Sequence, residues 1–183
     1  MRYPIYIILA ILLVGCGGPE PRKPVKVKTG SFIKVSVERN KELLVEEENL
    51  IRKIITADSV NQYLSTEFGA WYYYHHRIPA EGYTAAEEDQ VILTYDLLSL
   101  NNDTIYSAEE IGTITYYVDR EELFPGLRMG VKLLKEGEKA TFLYPSHLVF
   151  GYHGDNDRIG PNIPVKSTVA IIKIKKIKDS IQN

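Results

Sequence analysis

Residues 122–151, ELFPGLRMGVKLLKEGEKATFLYPSHLVFG, are the stretch whose reading decides the fold. Pro125 suits the first turn of a helix, where a missing N–H costs nothing. Phe124, Leu127, Val131 and Leu134 recur at intervals of three or four and predict one apolar helix face. Gly137 follows the last apolar position and is expected to stop that helix in a left-handed conformation. Ala140 to Tyr144 then reads as an apolar and aromatic strand closed by Pro145.

An apolar pair (Leu123-Phe124), a Gly, a short helix, a Lys-x-Gly-Glu-Lys turn (Lys135 to Lys139), a strand and an aromatic-Gly loop (Phe150-Gly151) follow one another here. In order and spacing this resembles the FKBP-type peptidyl-prolyl isomerases. The resemblance covers Gly82 to Ile177 well and the residues from Gly69 to Tyr83 loosely. It implies an α+β fold, an FKBP-like antiparallel sheet of about five strands wrapped around one short helix and preceded by a helical N-terminal arm.

Upstream, Ile5 to Val14 is nearly all aliphatic, with Arg2 the one charge before it. The run is shorter than the roughly 20 apolar residues of a spanning helix and fits the apolar region of a secretory signal. It ends at Gly15-Cys16, and Cys16 is the only cysteine. A small residue before cysteine at this boundary resembles the lipobox of bacterial lipoproteins, which implies cleavage after residue 15 and lipidation of Cys16. Without a second cysteine the exported domain has no internal disulfide. The expected organisation is a signal in 1–15, a lipid-anchored tether rich in proline and glycine in 16–36, a helical arm in 37–68 and the isomerase-like domain in 69–178.

In the arm, Leu43, Leu44, Glu47, Leu50, Ile51, Ile54 and Ile55 share one side at helical spacing. Packing on the following domain is favoured over a dimerisation arm, since the heptads are too few for a coiled coil. Asp58-Ser59 reads as a break and a new N-cap, with a second short helix through Gln62, Tyr63 and Leu64. Strands are expected at Gly69–Arg77, Gln90–Leu98, from Thr104, at Ile114–Val118 and at Val169–Ile177. The acidic run Glu46–Glu48 reads as solvated surface.

A net charge of −2 gives no electrostatic case for nucleic acid. His75 and His76 are neighbours on a strand, point to opposite faces and cannot chelate one ion, so no metal is expected. Asp155-Asn156-Asp157 starts like a calcium loop, but Lys166 stands where the closing Glu belongs. No serine has a His-Asp context beyond the neighbours Ser146-His147, which a loop explains equally well. No cofactor is called for.

Carried across position by position, the resemblance implies a catalytic pocket lined by Tyr95, Ile105, Tyr106, Leu123, Phe124, Leu127, Phe150 and Ile163. Ile114 and Ile171 (or Ile172, the register being open) form its wall. Six positions depart from the family, among them Ile105, where a Phe is usual, and Ile114, where an aromatic is usual. Tyr106 stands for an Asp, Leu127 for the Trp of the floor, Phe150 for a Tyr whose hydroxyl donates to the ligand, and Ile171 for a Phe. The implied function is that of a membrane-tethered isomerase, lipid-anchored in the cell envelope at the outer membrane and facing the periplasm. Its substrates are X-Pro segments of exported proteins. With LSTEFGAWYYY and the Ile-Tyr and Phe-Gly pairs, the chain most resembles the gliding-motility-associated lipoprotein isomerases, which implies service to a motility or secretion apparatus. The alternative is a non-catalytic FKBP-like module acting as a structural lipoprotein in an envelope protein complex.

Overall fold

The computed structural model describes residues 29–79, 81–120 and 122–177. Cys16, the expected signal in 1–15 and most of the expected tether in 16–36 lie outside the described residues. The chain divides into two compact units, Met1–Glu38 and Arg39–Asn183. Only the start of a helix is described in the first, and the second carries everything that follows.

That helix, α1 (Thr29–Ala57), starts eight residues before the expected boundary of the arm at 37. Beyond Gly30 no glycine occurs before Gly69 and no proline before Pro79. A helix once nucleated therefore propagates through the whole stretch. Its inward stripe is centred on Ile51, which is buried with Leu100 and Leu143, while Ile54, Ile55, Tyr63 and Trp71 pack around them. Leu50, expected on this stripe, lies at its edge and is exposed. Among the described residues no helix is long and apolar enough to cross a membrane.

The second helix expected after Asp58 does not form. The Asp58 carboxylate accepts from the N–H groups of Val60 (2.9 Å) and Asn61 (3.2 Å), from the Asn61 side-chain amide (2.8 Å) and from the Tyr63 hydroxyl (2.9 Å). An aspartate that caps a helix can equally close a turn on itself, and here the turn wins. The chain passes directly into a sheet strand, β1 (Leu64–Ser65).

The remaining elements are β2 (Trp71–His76), β3 (Gln90–Tyr95), β4 (Leu97–Ser99), β5 (Thr104–Tyr106), α2 (Ala108–Ile111), β6 (Ile114–Tyr117), α3 (Pro125–Val131), β7 (Lys139–Tyr144), a 3₁₀ turn (Ser146–Leu148) and β8 (Val165–Lys175). All described pairings are antiparallel, in the order β1-β2-β7-β8-β3-β6, with β4 joining β8 and β5. Five of the strands run four residues or longer, and β1, β4 and β5 are shorter connecting pieces. The layout is the expected α+β sheet with its short helix.

Alternation along β7 divides the interior. Ala140, Phe142 and Tyr144 face the main core with α3, whereas Leu143 faces α1. The predicted face Phe124, Leu127, Val131 and Leu134 is buried in that core. The helix itself stops at Val131, earlier than expected, and two tight turns carry Leu133 and Leu134 inward. Gly137 keeps its left-handed φ of +84°, but in the turn entering β7 rather than as the helix stop. Glu138 closes that turn from inside. Its buried carboxylate accepts from the N–H of Lys135 (2.9 Å) and of Ile78 (3.0 Å).

Helix α3 reaches the sheet through two glycines. A Cβ at Gly126 would lie 2.6 Å from Cδ1 of Tyr144, and one at Gly130 would lie 2.6 Å from the Tyr144 hydroxyl. The Tyr144 ring stacks on Phe142, which stacks on Tyr72, so it has no free side to retreat to. Its hydroxyl is buried and, among the described residues, has no partner. Gly130→Ala should therefore destabilise the fold by about 1–3 kcal/mol, the usual scale of overpacking. Tyr144→Phe should recover most of that loss at Gly130 and little at Gly126, where a Cβ meets ring carbons and the Leu148 carbonyl. Thermal melts of the single and double variants check this.

Candidate functional site

Pro125 at the first position of α3 fixes the chain direction, and Phe124 just before it is held extended (φ −60°, ψ 147°). Its carbonyl accepts from Leu127 and Arg128, while among the described residues its own N–H and that of Leu123 meet no acceptor. The Phe124 ring is the hub of an aromatic group. Tyr95 stands edge-on to it at 6.1 Å between centroids, Tyr144 edge-on at 5.8 Å, and Phe150 tilted at 5.8 Å. Tyr95 comes from the end of β3, Phe124 from the mouth of α3 and Phe150 from the loop after β7. Such rings favour edge and tilted contacts and hold a fixed apolar wall.

Half-buried Ile105, Tyr106, Ile114 and Leu123 pack against the same core beside them. Leu127 and Ile171 are sealed inside it, so they back the site rather than open onto it. Ile172 points the other way and is half exposed, which closes the open register. Ile163 does not join the group, since it is 41% exposed on the loop between β7 and β8. The structure thus brings together most of the residues expected of the pocket and leaves Ile163 apart.

Tyr106 stands where a carboxylate was expected to be lost from the rim, and the loop supplies one. Its hydroxyl donates to Asp155 Oδ2 at 2.5 Å and lies 3.2 Å from Asp157 Oδ2. The other Asp155 oxygen accepts from the N–H groups of Asp157 (2.9 Å) and Ile159 (2.8 Å), tying the loop into a closed turn. Arg158 lies over the Tyr106 ring at 4.7 Å, donates to the Ile105 carbonyl at 2.8 Å and grips both oxygens of Glu110 at 2.6 and 2.9 Å. The bidentate geometry fixes orientation as well as charge. The resemblance implies that residues 152–164 form the loop overhanging the pocket, and Asp155-Asn156-Asp157 within it starts like a calcium loop that Lys166 does not close. The Asp155-x-Asp157 spacing was the available signal, and it serves turn closure.

The proton shared with Asp155 pushes the Tyr106 hydroxyl pKa up to about 12. Burial works to raise the Asp155 pKa, but the bonds from Tyr106, Asp157 and Ile159 outweigh it and hold it below the usual value. Tyr106 therefore acts as a fixed donor and not as an acid or base at neutral pH. Ser146 is likewise committed, because its hydroxyl donates to Glu47 of α1. The two neighbouring histidines of β2 lead separate lives, with His75 Nε2 lying 2.7 Å from the Thr141 hydroxyl. The arrangement offers an apolar aromatic wall and a backbone donor, the Phe124 N–H, that meets no acceptor among the described residues.

Comparison with known proteins points the same way. The model of the family described as FKBP-type peptidyl-prolyl cis-trans isomerase matches residues 82–173. A probable FKBP-type peptidyl-prolyl cis-trans isomerase FkpA of Neisseria meningitidis serogroup B is 34% identical over 96 residues, 51% of this chain. The match spans only 34% of that relative's length. The crystal structure of FkpA from Escherichia coli is similar with a TM-score of 0.59 at 15% identity, over 94% of this chain and 82% of that one. The N-terminal domain of FKBP42 from Arabidopsis thaliana is similar with a TM-score of 0.57 at 17% identity, over 65% of this chain and 96% of that one. At these identities the two structures show the fold alone.

The loop latch carries a pH dependence. A carboxyl whose pKa is lowered on folding contributes stability that is complete above its unfolded value, about 3.9, and is lost as pH falls through the lower folded value. Asp155→Asn should therefore speed amide exchange in residues 155–159 at neutral pH. The difference from the parent chain should shrink as the pH is taken below 4 and vanish once Asp155 is protonated in both states. Amide exchange across that pH range checks it.

Proposed function

The chain belongs to the FKBP-type peptidyl-prolyl cis-trans isomerase family, and from that membership we propose that it catalyses cis/trans exchange of X-Pro bonds in exported proteins. The observation that carries this reading is the wall of Tyr95, Phe124 and Phe150 beside a backbone N–H that meets no acceptor among the described residues. Rotation about an X-Pro bond breaks amide resonance over a barrier of about 18–20 kcal/mol. The planar amide is more polar than the twisted one. A proline ring seated against apolar rings loses water, which disfavours the planar form relative to the twisted form. The Phe124 N–H is placed to hold a neighbouring carbonyl while the bond turns. No nucleophile or proton transfer is required.

The cellular setting in this proposal rests on the sequence. Ile5–Val14 followed by Gly15-Cys16 supports a lipid anchor at Cys16, a tether behind it and a place in the cell envelope facing the periplasm. Each buried lipid CH₂ contributes about 0.8 kcal/mol, so several chains hold firmly where one does not. The segment LSTEFGAWYYY and the Ile105-Tyr106 and Phe150-Gly151 pairs support the finer reading, a folding helper for a gliding-motility or secretion apparatus.

Purified chain should accelerate cis/trans exchange in short X-Pro peptides. Tyr95→Ala should cut kcat/KM by about tenfold or more, because it removes half of the wall facing Phe124. Phe150→Tyr should raise kcat/KM or leave it unchanged, since one donor is worth about 0.5–1.5 kcal/mol. No acceleration with any residue before proline would instead favour a non-catalytic docking module. Exchange measured by NMR for both variants decides between them.

A further inference from the structure

Glu47 is the middle residue of an acidic triplet, yet it is only 5% exposed. Helical phase turns it inward on the stripe of α1 that carries Ile51, while Glu46 and Glu48 turn away. Both of its oxygens are used on one residue 99 positions further along. Glu47 Oε2 accepts from the Ser146 N–H at 2.7 Å and Oε1 from the Ser146 hydroxyl at 2.7 Å. Ser146 opens the 3₁₀ turn Ser146–Leu148, and the residue before it, Pro145, has no side-chain cap to offer. A carboxylate from another element does that work.

Ser146 passes the constraint on. Its carbonyl accepts from the N–H of Val149 and of Gly151, both at 2.9 Å, which are the two neighbours of Phe150. The Gly151 carbonyl accepts in turn from Asn162 at 2.7 Å, one residue before Ile163. We propose that Glu47 is a positioning residue of the isomerase site, holding Phe150 in place through Ser146 and so coupling helix α1 to the pocket wall. The proposal rests on the isomerase reading.

Docking of the helix alone does not require such a group. Ile51, Leu100 and Leu143 already form a buried apolar contact. A buried carboxylate is a costly way to add adhesion, because its desolvation must be offset by well-formed hydrogen bonds. An apolar residue would dock as well, but it could not fix the N–H and hydroxyl of one serine at once.

The experiment uses the full chain with Glu47→Ala, Glu47→Gln and, as a control, Ile51→Ala one turn along the same stripe. Two quantities are read below the melting temperature of every variant, namely amide exchange at Val149 and Gly151 and kcat/KM for an X-Pro peptide. Glu47→Ala should expose both amides and lower kcat/KM by roughly ten- to a hundredfold, the scale expected when a site group is misplaced by a distant change. Glu47→Gln, which keeps an acceptor for the serine, should restore most of both. Ile51→Ala should lower the melting temperature while both readouts stay at their parent values. The proposal is overturned if Glu47→Ala leaves amides and rate unchanged, if Gln fails to restore them, or if Ile51→Ala moves them equally. A parent chain that accelerates nothing overturns the isomerase reading separately, and the amide readout still tells whether Glu47 orders the Phe150 loop.

Discussion

The close approach of helix α3 to the Tyr144 ring sets the position of nearly everything the site uses. Gly126 and Gly130, four residues apart, leave a flat strip on the helix, and the ring lies in it. The ring is fixed from the other side by Phe142 and Tyr72, whose planes are nearly parallel to its own. With that contact made, Pro125 starts the helix at one place only, and Phe124 is delivered at its mouth with its ring edge-on to Tyr144. Tyr95 and Phe150 then close around Phe124 from two other elements. The packing comes first, and the recognition surface is its outer edge.

Buried or half-buried carboxylates do the local work that surrounds this hub. Glu138 closes the turn before β7, Glu47 caps the turn after it, and Asp155 closes the loop that follows. Each accepts more than one N–H or hydroxyl, so each offsets its own desolvation and fixes two or more atoms of a loop. In a family whose reaction needs no acid or base, such groups act by geometry.

Much of the fold was legible in the sequence because it rests on period. The stripe Phe124, Leu127, Val131 and Leu134 and the aromatic strand before Pro145 each signal their own partner face. The resemblance then placed Tyr95, Leu123, Phe124 and Phe150 near one another. What stayed hidden depends on phase and on long-range pairing. Helical phase already puts Glu47 on the apolar stripe, but its partner Ser146 lies 99 positions further along and leaves no local signal. Ile171 and Ile172 are indistinguishable until the irregularity between Ile92 and Leu93 sets which faces the core. Asp58 carried the signature of an N-cap and made a turn, since local hydrogen bonding serves either. Ile163 lies on the loop between β7 and β8, whose path is held by Asp155 and Arg158 and not by any apolar pattern.

The most direct measurement is where an X-Pro peptide touches the chain. Titration of such a peptide into isotopically labelled protein, followed by amide shifts, locates the contact without depending on turnover. The expected result is a set of saturable shifts centred on Leu123, Phe124, Tyr95 and Phe150, with the Phe124 amide moving in the sense of a newly accepted hydrogen bond. Shifts gathered instead on the far face, around Asp58, Asn101 and Lys166, with Phe124 unmoved, would contradict it.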